Sequence, residues 1–478
     1  MLLREMPENA TSPPHPPVPL MRLTAAQARA AVDPASLPFC DVTELDDLAV
    51  PPGQEQAIEA LRFGVSIPHP DYHVYAFAPA TETRQGFVRD FLEQRATAEA
   101  PPDDVCYVHN FDNPQCPIAL SLPAGRGAQL REAMKRLVQD LRAALPAAFE
   151  NEDYRTRRQS IDEQFKQKHE EAFETVQKRA QKEGIAIVRT PMGIAFAPMR
   201  DGEVLPPQEF QKLPAADRAR IAETVESLQA EMERIIRQVP VWAREHRERL
   251  RQLNREVAHY AVAHMVEELR ASFSDVPPVA PYLAAVERDL ISNADDFLAV
   301  DASRQEGEFG PIGEATGVDH MTFRRYGVNL LVDSSGMTGA PVIYEDNPTV
   351  HSLIGRIEHI ARFGALLTDF NLLKAGALHR ANGGYLVLDA VKLLRNPLAY
   401  EALKRALRAR EIRIQSLEQM LSLTGTVSPD AEPVRLRVKV VLIGPRWLYH
   451  LLTLADSEAA ELFKVQVDVE DQIDRNAD

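Results

Sequence analysis

Chemistry concentrates in two short stretches of this sequence, residues 385–390 and 78–85. In YLVLDA, an apolar run ends in Asp389 and so places a carboxylate at the carboxyl edge of a buried strand. From that position nucleotide-hydrolysing sites hold magnesium; the alternative is a strand-end Asp that caps the following turn. Ala390 stands where a water-activating Glu would follow, so a base for hydrolysis is missing. The second stretch, APATETRQ, lies between the strand-like YHVYAFAPA and the helix-like QGFVRDFLEQRATAE, where a phosphate loop belongs. Such a loop needs glycines, whose backbone N–H groups curve round an anion, then Lys and Ser or Thr. No glycine falls within it, Glu82 adds negative charge, and Arg84 is its only basic residue. Thr83 and Arg84 are left to meet a nucleotide, with Arg84 placed to contact an anion at a helix N-terminus. Binding of ATP and magnesium is therefore expected to be weakened or lost.

Other candidate groups point to structure. His259 and His264 are five apart and point to different faces of a helix, and no HExxH occurs. Cys106 and Cys116, with His109 between them, lack the spacing of a zinc site, and Cys106 and His109 would face opposite sides of a strand. With three cysteines in all, the chain suits a reducing, cytoplasmic setting. No apolar run is long enough to span a membrane. The net charge of −16 argues against a general nucleic-acid partner.

The elements that must position these residues are α/β at both ends of the chain and helical between. Residues 1–39 read as a tail with a short helix, 40–127 and 311–478 as two parts of an α/β core, and 128–310 as a helical insert. Within the insert, Ile221, Val225, Leu228, Met232, Ile235 and Val239 recur in steps of four and three, the seam of a coiled coil. Pro240 is expected to kink or interrupt it, and Leu250, Leu253, Val257 and Tyr260 form a second apolar set. GIAIVRTPMGIAFAPMRDGEVL, residues 184–205, predicts a small β element at the tip of an antiparallel helical arm. Its Met192, Ile194, Phe196 and Met199 either contact protein substrates and partners or bind the tip together.

The stretch NPTVHSLIGRIEHIARFGALLTDFNLLKAGALHRANGGYLVLDA, residues 347–390, resembles the ATPase domain of Lon-like ATP-dependent serine proteases. ALKRALRAREIRIQSL, VKVVLIGPRWLYHLL, ELFKVQVDVED and the RTPMGIAFAPMRDGEVL tip extend that resemblance over nearly the whole chain. It implies an AAA+ P-loop core interrupted by a helical insert, assembly into a ring, commonly a hexamer, and protein substrates. It also implies a lid and then a protease domain with a Ser–Lys dyad, expected beyond the closing DQIDRNAD. The family's ATP loop falls on residues 78–85 and its magnesium Asp on Asp389, with an acidic partner expected at 390, where this chain departs. Arg356, Arg362, Arg380 and Arg446 are candidates for subunit contacts in such a ring. A non-enzymatic scaffold built on the same frame is the alternative.

Overall fold

The computed structural model describes residues 22–25, 35, 39–44, 53–78, 82–190, 193–200, 203–294, 296–297, 323–362, 365–415 and 428–469. The chain divides into two compact units, Met1–Pro52 and Gly53–Asp478. In the first, a 3₁₀ turn at Val42–Glu44 is held by the Asp41 carboxylate, which accepts from Thr43 N–H at 3.1 Å. The second unit opens with α1 (Glu55–Ser66), β1 (Val74–Phe77), α2 (Glu82–Ala96), β2 (Asp104–Val108) and β3 (Ile118–Leu122). Then come α3 (Arg126–Glu150), α4 (Glu152–Lys182), β4 (Ile185–Thr190), β5 (Gly193–Arg200), β6 (Glu203–Val204), α5 (Ala215–Ser272) and α6 (Val279–Ser292). The return comprises β7 (Val328–Val332), β8 (Val342–Glu345), β9 (Tyr385–Asp389), α7 (Pro397–Ala409), β10 (Lys439–Gly444), α8 (Arg446–Ala455) and β11 (Val465–Asp468).

Five parallel strands form the core sheet in the order β11–β1–β10–β9–β8. Strand period divides their side chains between two cores. Tyr75, Phe77, Leu386, Leu388 and Leu442 pack on one face with α7 and α8. Val74, Ala76, Val387, Val441 and Val467 pack on the other with α1 and α2. All five positions of β9 are buried, as its unbroken apolar run requires of a parallel strand covered on both sides. The α/β expectation for this core therefore holds.

Residues 104–108 and 328–332 both form strands, but outside that sheet. They pair antiparallel in a separate sheet, β3–β2–β7, packed against α3, α6 and the C-terminal part of α5. Asp104, at the start of β2, is fully buried. Its Oδ2 accepts from Gly127 N–H at 2.8 Å and its Oδ1 from Ser334 N–H at 2.7 Å. One carboxylate thereby satisfies an orphan donor in the first turn of α3 and ties it to the chain returning after β7.

The arm is α4 against α5, with β4, β5 and β6 as an antiparallel tip. Ion pairs Arg157–Glu256, Lys168–Glu245 and Arg179–Glu231 run in opposite directions along the two helices, so they are antiparallel. Of the expected seam, Leu228 and Met232 are buried, and Val225 and Ile235 pack beside them. Pro240 does not interrupt α5, which continues through it; its position is exposed, so the carbonyl deprived of its helical donor faces water. Tyr260 is 81% exposed and lies off the seam, which Leu253 and Val257 follow instead.

Replacing Asp104 by Ala strands two buried N–H groups, and we expect a loss of about 2–4 kcal/mol in urea unfolding. Two histidines set an acid limit on the same fold. Burial lowers His73 and His379 from the ordinary 6.5 to about 3, with the Lys439 charge a smaller contribution at His73. Each imidazole accepts at Nδ1, from Val440 N–H and Gly376 N–H respectively, and is neutral in the folded chain. Their stabilisation is complete above pH 6.5 and is lost as pH falls toward the folded value, because only the unfolded chain takes up the proton. The unfolding free energy should fall by about 1.4 kcal/mol per pH unit per histidine in that window, and His379→Gln should flatten the slope.

Candidate functional site

Phe77 is level with Gly444 on one side and with Asp468 on the other, and Asp389 is level with Ile443. The carboxyl ends of β1, β9, β10 and β11 thus share one edge. The chain crosses over there: after β1 it leaves to build the far side of the sheet, and after β10 it passes β1 to add β11. Outside such an edge open parallel sheets hold their ligands.

What occupies this edge is the chain's own side chains. Asp389 is buried and its Oδ1 accepts from Lys392 N–H at 2.9 Å, capping the short helix Ala390–Leu394. Lys392 in turn pairs with Asp346, just past β8, while Arg380 pairs with Glu345 at 3.2 Å. Ala390 has no exposed surface and belongs to the core cluster under the edge. A Cβ on Gly444 would lie 2.6 Å from the Tyr75 hydroxyl and 2.9 Å from the Ala390 Cβ, so the space beside residue 390 is already filled. Tyr75 donates to the Pro445 carbonyl at 3.3 Å, and burial first, then the Asp389 charge, raises its pKa. Arg446 reaches over the Phe77 ring, 4.7 Å from its centroid, and pairs with Asp468. One guanidinium therefore links the ends of β10, β1 and β11.

The remaining expected residues are dispersed. Thr83 and Arg84 fall in the first turn of α2, with side chains outside the described residues, and only residues 78–81 separate β1 from that helix. The side chain of Arg362 and all of Met192 also lie outside them. Arg356 is exposed and paired with Glu358 at 2.6 Å. At the tip, Ile194 is 38% exposed, Met199 is half-buried, and Phe196 packs on the cluster of Val176, Leu228 and Met232. Burial pushes the Cys106 thiol up to about 12, which keeps it protonated and unreactive. His264 is a surface residue paired with Glu268, and His259 is exposed. Sequence reasoning missed Phe77 and Asp468. The signal for Phe77 was the pair of aromatics at alternate positions in VYAF, and for Asp468 an acidic residue closing VQVD.

A parallel sheet in this order, flanked by helices and carrying a long helical insertion, is an AAA+-like P-loop core. Residues 338–470 match the family model described as LonB-like, AAA domain, and residues 104–137 match the Lon-like LonC helical domain. The similarity to Lon-type AAA+ and helical domains therefore rests on these two stretches of the chain. No curated protein matches the chain. Among solved structures it matches the crystal structure of NtrX from Brucella abortus, at 18% identity over 27% of each chain with a TM-score of 0.19. A similarity that low carries nothing about fold or function. Among the described residues, no helix is long and apolar enough to cross a membrane.

The packing at residue 390 has a direct consequence. Restoring the expected acidic residue by Ala390→Glu should force a carboxylate into the core and cost about 3 kcal/mol or more in urea unfolding. Phosphate release from ATP should remain at background.

Proposed function

We propose that this chain is the AAA+-like module of a Lon-like serine endopeptidase, building a homo-oligomeric ring and presenting its helical arm to protein substrates without turning over ATP. The observation that carries the loss of turnover is the edge of the sheet, where Asp389 serves as a helix cap and Ala390 is packed into the core. Arg446, Phe77 and Asp468 satisfy one another there. A magnesium nucleotide does not fit these groups. Lys392 N–H already occupies Asp389 Oδ1, which leaves the metal only Oδ2, and no second carboxylate stands at 390. The connection from β1 to α2 also has no glycine with which to wrap a phosphate.

Substrate handling is assigned to the arm on its form: a long antiparallel helix pair with a β tip whose Ile194 faces solvent. Arg356 and Arg380 are exposed and form single pairs within the chain, which leaves them able to exchange partners across a ring interface, whereas Arg446 would first have to leave both Asp468 and Phe77.

Calorimetric titration with ATP and magnesium tests the reading, with Arg84→Ala as control. We expect no heat up to millimolar nucleotide. Micromolar binding that weakens in the control would mean that Arg84 replaces the missing lysine and glycines, and the lost site would be wrong.

A further inference from the structure

At the other end of the sheet lies a cavity of about 820 Å³ whose wall is rich in cations: Arg410, Arg435, Arg437 and Lys439. Lys439 begins β10 and Tyr385 begins β9, so the cavity sits at the amino ends of the strands. Five residues of strand, about 15 Å, separate it from the edge that carries Asp389. Two acidic residues share the wall, and both are already engaged. Glu99 accepts from Arg95 at 3.1 Å and from the Tyr385 hydroxyl at 2.8 Å, and Glu411 pairs with Arg413 at 3.7 Å. Arg410, Arg435 and Arg437 have no carboxylate partner among the described residues. In a chain of net charge −16, this is a local reversal of sign.

The arrangement follows from the alternation in VRLRVK, residues 434–439. Val434 and Leu436 are buried, while Arg435 and Arg437 are exposed on the opposite side, with Lys439 next in the same series. Asn382 fixes the segment, donating to the Arg435 carbonyl at 2.9 Å and accepting from Arg437 N–H at 2.7 Å. Arg410 caps α7 in the left-handed region at φ 55°, and its carbonyl accepts from Leu436 N–H at 2.8 Å. Lys439 donates to the carbonyls of Ile67 and Tyr72, both at 2.9 Å, and so holds the facing loop as the other wall. The backbone that carries the arginines and the ammonium of Lys439 are thus held in place before any ligand arrives, which lowers part of the entropic cost of binding.

We propose that this cavity binds an extended acidic peptide segment, with carboxylates at alternate positions on Arg435 and Arg437 and a further one on Arg410. Alternate residues of an extended chain are about 6.6 Å apart, the same repeat that separates these arginines along their own segment. Arginine forks match carboxylates in two-bonded pairs. Ile67, Leu407 and Val438 offer apolar contact to the intervening side chains. A single-stranded nucleic acid fits less well. Of the rings in the lining, Tyr385 and His73 are buried and only the His69 imidazole is exposed, set edge-on to Tyr72, so no run of rings stacks successive bases. The inference is independent of the nucleotide reading, because no residue of the cavity belongs to the other edge.

The test is fluorescence anisotropy of a short labelled peptide alternating Glu and Ala, titrated with the full chain. We expect saturable binding that weakens with salt and falls at least about tenfold in the Arg435→Gln, Arg437→Gln double variant. Both side chains are exposed, so the variant should keep the parent melting temperature. Arg405→Gln, an exposed arginine outside the cavity, should bind as the parent does. Absence of saturable binding, equal binding of a Lys–Ala peptide, an equal loss in Arg405→Gln, or tighter binding of oligouridylate that the double variant also loses would each overturn the proposal.

Discussion

The core sheet cannot close unless a long excursion of the chain begins and ends in one place. β1 lies inside the sheet, one strand from its edge, yet its partners β10 and β11 come from residues 439–444 and 465–468. Everything between must leave and return without pulling the strands apart. Asp104 supplies that constraint by accepting from Gly127 where the helices depart and from Ser334 where the chain comes back. The two contacts span sequence separations of 23 and 230 residues, so this short pair of bonds closes a very long loop. The entropy of closing a loop grows only slowly with its length, which lets the arm be long without destabilising the root that carries it.

What was legible beforehand tracks how local each signal is. YLVLDA and VKVVLIG read as buried strands because a parallel strand covered on both faces is apolar at successive positions. The arm was legible because Leu228 and Met232 repeat at the period of a helix seam. Sheet membership was not legible: residues 104–108 and 328–332 fall within the two stretches read as α/β core, and only their partners show that they form a second sheet. Tyr260 fits the spacing of its neighbours, but past Val257 the packed face runs through Ala258, Val262 and Val266, and Tyr260 lies off it. Pro240 is tolerated for a reason invisible in the letters, the exposure of its face of α5.

The candidate site divides in the same way. A carboxylate at the end of a buried strand was correctly placed, but magnesium ligation and helix capping demand the same residue at the same position. Only the bond from Lys392 N–H distinguishes its present occupation. The contact of Arg446 with Phe77 and Asp468 depends on strand order, which brings residues 77, 446 and 468 to one edge. No spacing rule along the chain connects them.

The stability of the sheet and any chemistry at its edge draw on different atoms. Tyr75, Leu388, Leu442 and Ile443 hold the strands together from positions that water does not reach. Burial of such side chains stabilises by roughly 1.5–3 kcal/mol each. The groups that would touch a nucleotide sit on the rim, where Arg446 and Asp468 are each more than half exposed and their pairing adds little. Substitution at the rim is therefore nearly free, whereas substitution inside is not. Ala390 marks where the two regimes meet, a residue at the carboxyl end of a strand that is part of the interior. With Gly444 and Tyr75 packed beside it, an acidic residue there would require repacking the core, so packing rather than chemistry decides what position 390 can hold.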